Sequence, residues 1–167
     1  VSGLRDDPDL APLVAARAVP VVLMHMQGTP KTMQDRPHYT DTVADIIDVL
    51  RERIRVALEA GVAEDRIIVD PGIGFGKTVA DNLRILKEVG RFRTELGLPV
   101  LIGLSRKSFV GKVLGGEQLP LPAEERLVAT LAAHAWVSLA GVEILRVHDV
   151  AETVQLRTML DAITTVE

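Results

Sequence analysis

Arg66-Ile67-Ile68-Val69-Asp70-Pro71-Gly72-Ile73-Gly74-Phe75-Gly76-Lys77 joins a β-branched apolar run, a carboxylate where that run stops, and a glycine-rich loop. β-Branched residues favour strands, and a run without alternating polar positions fits a strand covered on both faces, as in a parallel sheet under helices. The proline ends the ladder, and glycines let the chain turn back through positive φ. The pattern returns twice more. Gly103-Leu104-Ser105-Arg106-Lys107-Ser108 closes an apolar run at 98–104, and Arg146-Val147-His148-Asp149-Val150 closes one at 142–147. Polar chemistry repeated at the C-terminal ends of successive strands is how a parallel α/β protein builds a site.

A fourth strand-like run lies at 19–26. Helical patterns separate the runs, at 9–18, 42–60, 80–96, 123–140 and 150–163. The second has apolar spacing Val43, Ile46, Ile47, Leu50, Ile54, Leu58 and ends at Gly61, a C-terminal stop. Asp149 with Glu152 reads as a capping pattern for the last helix. Strand and helix alternate, so the class is α/β with right-handed crossovers. Two architectures satisfy that: an open doubly wound sheet and a (β/α) barrel. A barrel needs eight units and ~250 residues, whereas these 167 residues hold about four. No internal repeat, low-complexity stretch or interdomain linker interrupts the chain, which reads as one domain.

Composition removes several function classes. Hydrophobic residues at 47% with 25% charged exclude a disordered chain. A net charge of −4 without any lysine or arginine run leaves no footprint for nucleic acid or an anionic membrane. The absence of cysteine excludes disulfides, thiolate zinc sites and a cysteine nucleophile, and fits a cytoplasmic location. No apolar stretch reaches the ~20 residues of a spanning helix, and no signal peptide opens the chain. Val1 in place of methionine predicts a sequence that begins inside a longer protein.

The glycine loop is neither of two familiar phosphate binders. A P-loop would need glycine where Pro71 stands, and a dinucleotide fingerprint would need it at Lys77 or Val79. What remains is Asp70 with Phe75, an aromatic in a polar loop, which suits a flat ligand; the plainer reading is a turn cap and a loop anchor. In Ser105-Arg106-Lys107-Ser108, a serine at a helix start offers a hydroxyl and N–H to a carboxylate or phosphate, and Lys107 beside it adds a point charge; the plainer reading is a helix cap with two solvated cations. Arg146 and His148, two apart at a strand end, share a face and suit a phosphate or diphosphate. His25, opposite Met24 and Met26, is expected to be structural. No His, Asp and Glu grouping has metal-ligand spacing, and no Ser-His-Asp signature occurs.

Four segments together, Met24-His25-Met26-Gln27-Gly28-Thr29-Pro30, Asp70-Pro71-Gly72-Ile73-Gly74-Phe75-Gly76-Lys77-Thr78, Gly103-Leu104-Ser105-Arg106-Lys107-Ser108 and Arg146-Val147-His148-Asp149-Val150, resemble the dihydropteroate synthases. They stand in that family's order and at similar spacing. The resemblance implies a (β/α)8 TIM barrel, of which residues 1–167 are the C-terminal part, strands five to eight of one pterin-binding domain. It implies a transferase of folate biosynthesis, the sulfonamide target, that condenses 6-hydroxymethyl-7,8-dihydropterin diphosphate with p-aminobenzoate and releases diphosphate with Mg²⁺. By the match, Asp70 accepts two hydrogen bonds from the pterin edge, Lys107 contacts the pterin ring, and Gly103 and Met24 wall the slot. Phe75 and Ser108 meet p-aminobenzoate, and Arg146 and His148 hold the leaving diphosphate; Lys107, Arg146 and His148 are the expected catalytic residues.

The family's Mg²⁺-contacting asparagine, further pterin ligands and two mobile loops fall upstream of Val1. This chain is therefore expected to hold no metal ligand and to be inactive alone. Small-molecule substrates and a homodimer are the implied partners. Two other readings stay open: a pterin-binding methyltransferase domain, and a non-catalytic half-barrel that binds pterin or pairs with another copy through exposed strand edges.

Overall fold

The computed structural model describes residues 3–166. Helix α1 (Leu10–Arg17) leads to strand β1 (Val21–Met24), then α2 (Thr42–Glu59) and β2 (Ile67–Asp70). Two shorter helices follow, α3 (Val79–Lys87) and α4 (Gly90–Leu96), before β3 (Leu101–Ile102). Helices α5 (Ser108–Gly115) and α6 (Leu127–Leu139), β4 (Ile144–Leu145) and α7 (Val150–Thr165) complete the order.

Hydrogen bonding decides between the two architectures. β1 pairs with β2 in parallel, Val21 opposite Ile67 through Met24 opposite Asp70. Val69 bridges in parallel to Val100, and β3 pairs with β4, Leu101 opposite Ile144. Spatial order thus follows chain order with no reversal. A doubly wound sheet has a reversal where its ligand crevice forms, and a barrel has none. The expected α/β fold, four consecutive units of a (β/α) barrel, is the one observed.

Each strand has two faces of different character. Leu23, Ile67, Val69, Val100 and Ile102 are all at 0% exposure, in one core with Val43, Ile46, Ile47 and Leu50 of α2. The opposite face carries Val22, which is 40% exposed, and the half-buried Ile68 and Ile144. In a whole barrel that face fills the interior in layers. The outer edges of β1 and β4 pair with no strand among the described residues. The runs expected to be strands at 98–104 and 142–147 shrink to two ladder residues each. The chain turns away soon after each: Lys107 donates its N–H to the Leu104 carbonyl at 3.2 Å, and His148 donates its N–H to the Ser105 hydroxyl at 3.2 Å.

Local chemistry sets the helix ends. Asp41 accepts from the N–H groups of Val43 and Ala44, both at 3.1 Å, and caps α2. Thr78 and Asp81 form a capping box on α3. The single helix expected at 80–96 is divided. Trp136 of α6 donates its indole N–H to the Leu86 carbonyl at 2.8 Å, the acceptor that residue 90 would use in a continuous helix. The chain bends there through Val89 and restarts at Gly90. Likewise the first turn expected at 123–140 is a 3₁₀ turn, Ala123–Arg126, ahead of α6.

Core and surface leucines should respond differently in the protein that carries this chain. Leu50→Ala, at a fully buried position of α2, is expected to cost about 2–5 kcal/mol in urea denaturation. Leu119→Ala, at 82% exposure, is expected to stay within about 0.5 kcal/mol. Equal costs would remove Leu50 from the core.

Candidate functional site

The register places the chemistry. Met24 lies opposite Asp70 in the first ladder, and Arg146 donates its N–H to the Ile102 carbonyl at 2.9 Å, beside Gly103. Met24, Asp70, Gly103 and Arg146 therefore stand on the inner face at the C-terminal ends of four neighbouring strands.

Asp70 is 2% exposed, and its Oδ1 accepts the Gly72 N–H at 2.7 Å. Burial pushes its pKa up, against the pull of that N–H and of Lys107, Arg146 and Lys77. The turn behind it admits glycine alone. Gly72 has φ +72°, and a Cβ there would lie 1.9 Å from the His25 carbonyl oxygen. The loop is pinned from outside. Asn82, 1% exposed, accepts the Gly74 N–H and donates to the Thr78 carbonyl, both at 2.7 Å. Tyr39 donates its hydroxyl to the Gly76 carbonyl at 2.7 Å.

Two lysines meet this loop. Lys107 places Nζ 4.5 Å from the centroid of the Phe75 ring and donates to the Ile73 carbonyl. Burial pushes its pKa down to about 8, Asp70 opposing and Arg146 assisting. Lys77 is 4% exposed; its Nζ lies 2.9 Å from Nδ1 of His25 and donates to the Phe75 carbonyl at 3.0 Å. Burial pushes the Lys77 pKa down to about 7, with Asp70 opposing. His25, also 4% exposed, is pushed down to about 3 by burial and then by the Lys77 charge. A neutral imidazole accepting at Nδ1 satisfies both groups.

At the far side, Gly103, Ser105, Lys107, Arg146 and His148 line a recess of about 190 Å³. The guanidinium lies over Gly103, where a Cβ would come within 2.6 Å of Nη2. His148 is steered by Ser105, whose Oγ lies 3.0 Å from Nδ1 and accepts the His148 backbone N–H at 3.2 Å. A recess edged by lysine, arginine and histidine suits a phosphate-bearing anion. Ser108, at the start of α5, is exposed and opens instead on a separate cavity of about 500 Å³ shared with Gln34, Lys77, Asn82 and Lys112.

The expected site residues thus fall into two groups. Met24, Asp70, Phe75, Gly103, Lys107, Arg146 and His148 gather at one end of the sheet, and Ser108 faces the neighbouring cavity. One expectation is corrected. Asp149 stands at the N-cap position of α7, yet its carboxylate makes no cap bond. It pairs with Arg106 through two hydrogen bonds, Nε to Oδ2 at 2.8 Å, which outcompete weaker neutral N–H donors. Of the two serines in the 105–108 segment, Ser108 is the one at a helix start, that of α5, and the Ser105 hydroxyl serves His148. Arg106 holds the left-handed φ of +53° because Thr130 accepts its N–H at 3.1 Å and Arg126 donates to its carbonyl at 2.8 Å. The Arg106–Asp149 pair joins the loop after β3 to the start of α7.

Sequence reasoning passed over Lys77 and Asn82. Lys77 entered it only as the residue that spoils a dinucleotide fingerprint, and nothing local links it to His25, 52 positions away. A usable signal was a cation set between glycines and a helix cap, where solvent access is poor.

The residues present do not fit a Mg²⁺ site. Among the described residues no group of three His, Asp or Glu side chains could hold a metal ion, and the lining around Asp70 is cationic. Mg²⁺ is held through one or two carboxylates together with waters and substrate phosphates, whereas the Asp70 carboxylate is engaged by the Gly72 N–H and faced by Lys77, Lys107 and Arg146.

A buried neutral histidine makes the fold acid-labile. Its folded pKa lies below the ordinary 6.5, so its contribution to stability is full above pH 6.5 and is lost as pH falls toward 3. Between about pH 6 and 4.5, above most carboxylate titrations, unfolding free energy should fall by about 1.4 kcal/mol per unit from this group. Lys77 is protonated in both states there and adds no slope. His25→Gln should flatten that limb in urea titrations; an unchanged slope would acquit His25.

Comparison with known proteins agrees with this geometry. Residues 1–148 match the family described as pterin binding enzyme. The dihydropteroate synthase of Bacillus subtilis is 41% identical over 162 residues, 96% of this chain and 52% of its own length. That of Escherichia coli K12 is 38% identical over 156 residues, covering 93% and 53%. The Xanthomonas albilineans dihydropteroate synthase with 4-aminobenzoic acid matches at a TM-score of 0.89 and 44% identity, over 100% of this chain and 57% of that one. The same enzyme in complex with 7,8-dihydropteroate matches at 0.88 and 43%. The chain spans about half the length of the curated relatives it matches. With the family match running through the ends of all four strands and the site they carry, this chain belongs to the pterin-binding enzyme family.

Proposed function

We propose that residues 1–167 are the C-terminal part, strands five to eight, of one (β/α)8 domain of a dihydropteroate synthase, and that they carry its pterin floor and diphosphate clamp. One observation carries the reading: a buried acceptor carboxylate, an aromatic stacked by a lysine, and a cationic recess stand side by side at the end of one sheet. The likeness to synthases whose structures hold 4-aminobenzoic acid and 7,8-dihydropteroate supports it. A pterin-dependent methyltransferase would share Asp70 but has no use for the recess of Arg146 and His148.

In this reading Asp70 accepts hydrogen bonds from the pterin edge and fixes its orientation, and Lys107 lies against the ring with Met24 and Gly103 as walls. The carbon–oxygen bond to diphosphate breaks with its electron pair going to the leaving oxygen. Arg146 and His148 stabilise the charge that develops there. The amine of p-aminobenzoate, held by Phe75 and by Ser108 at its carboxylate, attacks the methylene carbon and gives up a proton. Catalysis is then positioning plus leaving-group stabilisation. The proposal extends to a homodimer in the cytoplasm. No helix among the described residues is long and apolar enough to cross a membrane. Mg²⁺ belongs to the proposal through the family resemblance, with its ligands outside these residues.

In the full-length protein, diphosphate release from the dihydropterin diphosphate should depend on p-aminobenzoate; release indifferent to it would overturn the assignment. Asp70→Asn and Lys107→Ala should each weaken pterin binding by about tenfold to a hundredfold, the worth of a hydrogen bond to a charged group. Arg146→Ala should weaken the diphosphate form and spare the plain pterin. Equal loss of both in calorimetric titrations would end the clamp role.

A further inference from the structure

Lys77 is the one buried cation of the site to which the proposed chemistry gives no task. Its Nζ touches two segments, His25 just past β1 and the Phe75 carbonyl of its own loop. The Tyr39 ring, whose hydroxyl holds the next peptide at Gly76, lies 6.0 Å away. A buried ammonium is costly unless it is hydrogen-bonded and faces a counter-charge. Here the counter-charge is Asp70, the pterin acceptor of the proposed function. An apolar residue would fill the space without that cost, so a purely packing role accounts poorly for the charge.

We propose that Lys77 is a positioning residue for the pterin, locking the 70–77 loop through His25 and Phe75 so that the Asp70 carboxylate is held at a fixed spacing from the Phe75 ring. This rests on the pterin-binding reading. The lock works while the ammonium is charged, and burial brings its loss of a proton to about pH 7. The groups facing it come from every neighbouring element. His25 after β1 stays neutral above pH 6, Asp70 of β2 and Asp81 of α3 favour the proton, and Lys107 after β3 opposes it. Pterin affinity therefore weakens as pH rises through the range in which Lys77 and then Lys107 lose their protons, about 7 to 8.

The test is equilibrium binding of 6-hydroxymethyl-7,8-dihydropterin, which lacks diphosphate and so does not read the clamp, to the full-length protein from about pH 6 to 9. The wild type should lose affinity over one broad range spanning about pH 7 to 8. Lys77→Arg, which keeps its charge throughout, should move the midpoint of that loss upward and leave only the part that Lys107 contributes. Lys77→Met should bind about tenfold more weakly at pH 6 and lose less further affinity as pH rises. Thermal melts accompany each variant, and if Lys77→Met does not fold, the Lys77→Arg profile decides alone. If Lys77→Arg keeps the wild-type profile, the role is overturned, because the loss then belongs to another group. Wild-type protein that binds no pterin overturns the proposed function itself, and the Lys77 role with it.

Discussion

A carboxylate closed off from water must be compensated or it takes up a proton, and the end of this sheet is organised by that demand at Asp70. The Gly72 N–H satisfies one oxygen at 2.7 Å. Lys77, Lys107 and Arg146 surround the group and pull its pKa down against burial. Each of those cations comes from a different loop or strand end. The same constraint therefore fixes how the motif after β2 faces those after β3 and β4.

The compensation has a second consequence. Cations gathered to hold one buried anion lower one another's pKa, as Lys107 does for Lys77 and Arg146 for Lys107. The surplus positive charge is what makes the recess at Arg146 and His148 hospitable to an incoming anion. A flat ligand that donates hydrogen bonds to Asp70 at the end of β2 and carries its negative charge toward the ends of β3 and β4 matches this distribution. Rigidity comes from the shell behind. Asn82 and Tyr39 grip the glycine loop, and the Arg106–Asp149 pair spans from the β3 loop to α7.

Much of this was legible in the residues. Val, Ile and Leu runs ending in Asp70, Gly103 and Arg146 identified strand ends, because β-branched runs and glycine stops act within a few residues. The apolar spacing of α2 and its Gly61 stop gave its ends to within a residue or so. Less legible was the break between α3 and α4. Its cause is Trp136, 50 positions from the carbonyl it captures. Asp149 illustrates the same limit. Its sequence context says helix cap, yet a guanidinium 43 positions away is the stronger partner.

By itself the sequence determined the alternation of strand and helix, the glycine-rich loop after Asp70 and the polar residues at each strand end. All of these follow from backbone sterics and short-range periodicity. Tertiary structure decided the sequential strand order, the partnership of His25 with Lys77, and the separation of Ser108 from the recess of Arg146 and His148. Such pairings depend on which segments the parallel register brings within about 3 Å. That distance is set by the packing of the whole sheet, and no local pattern encodes it.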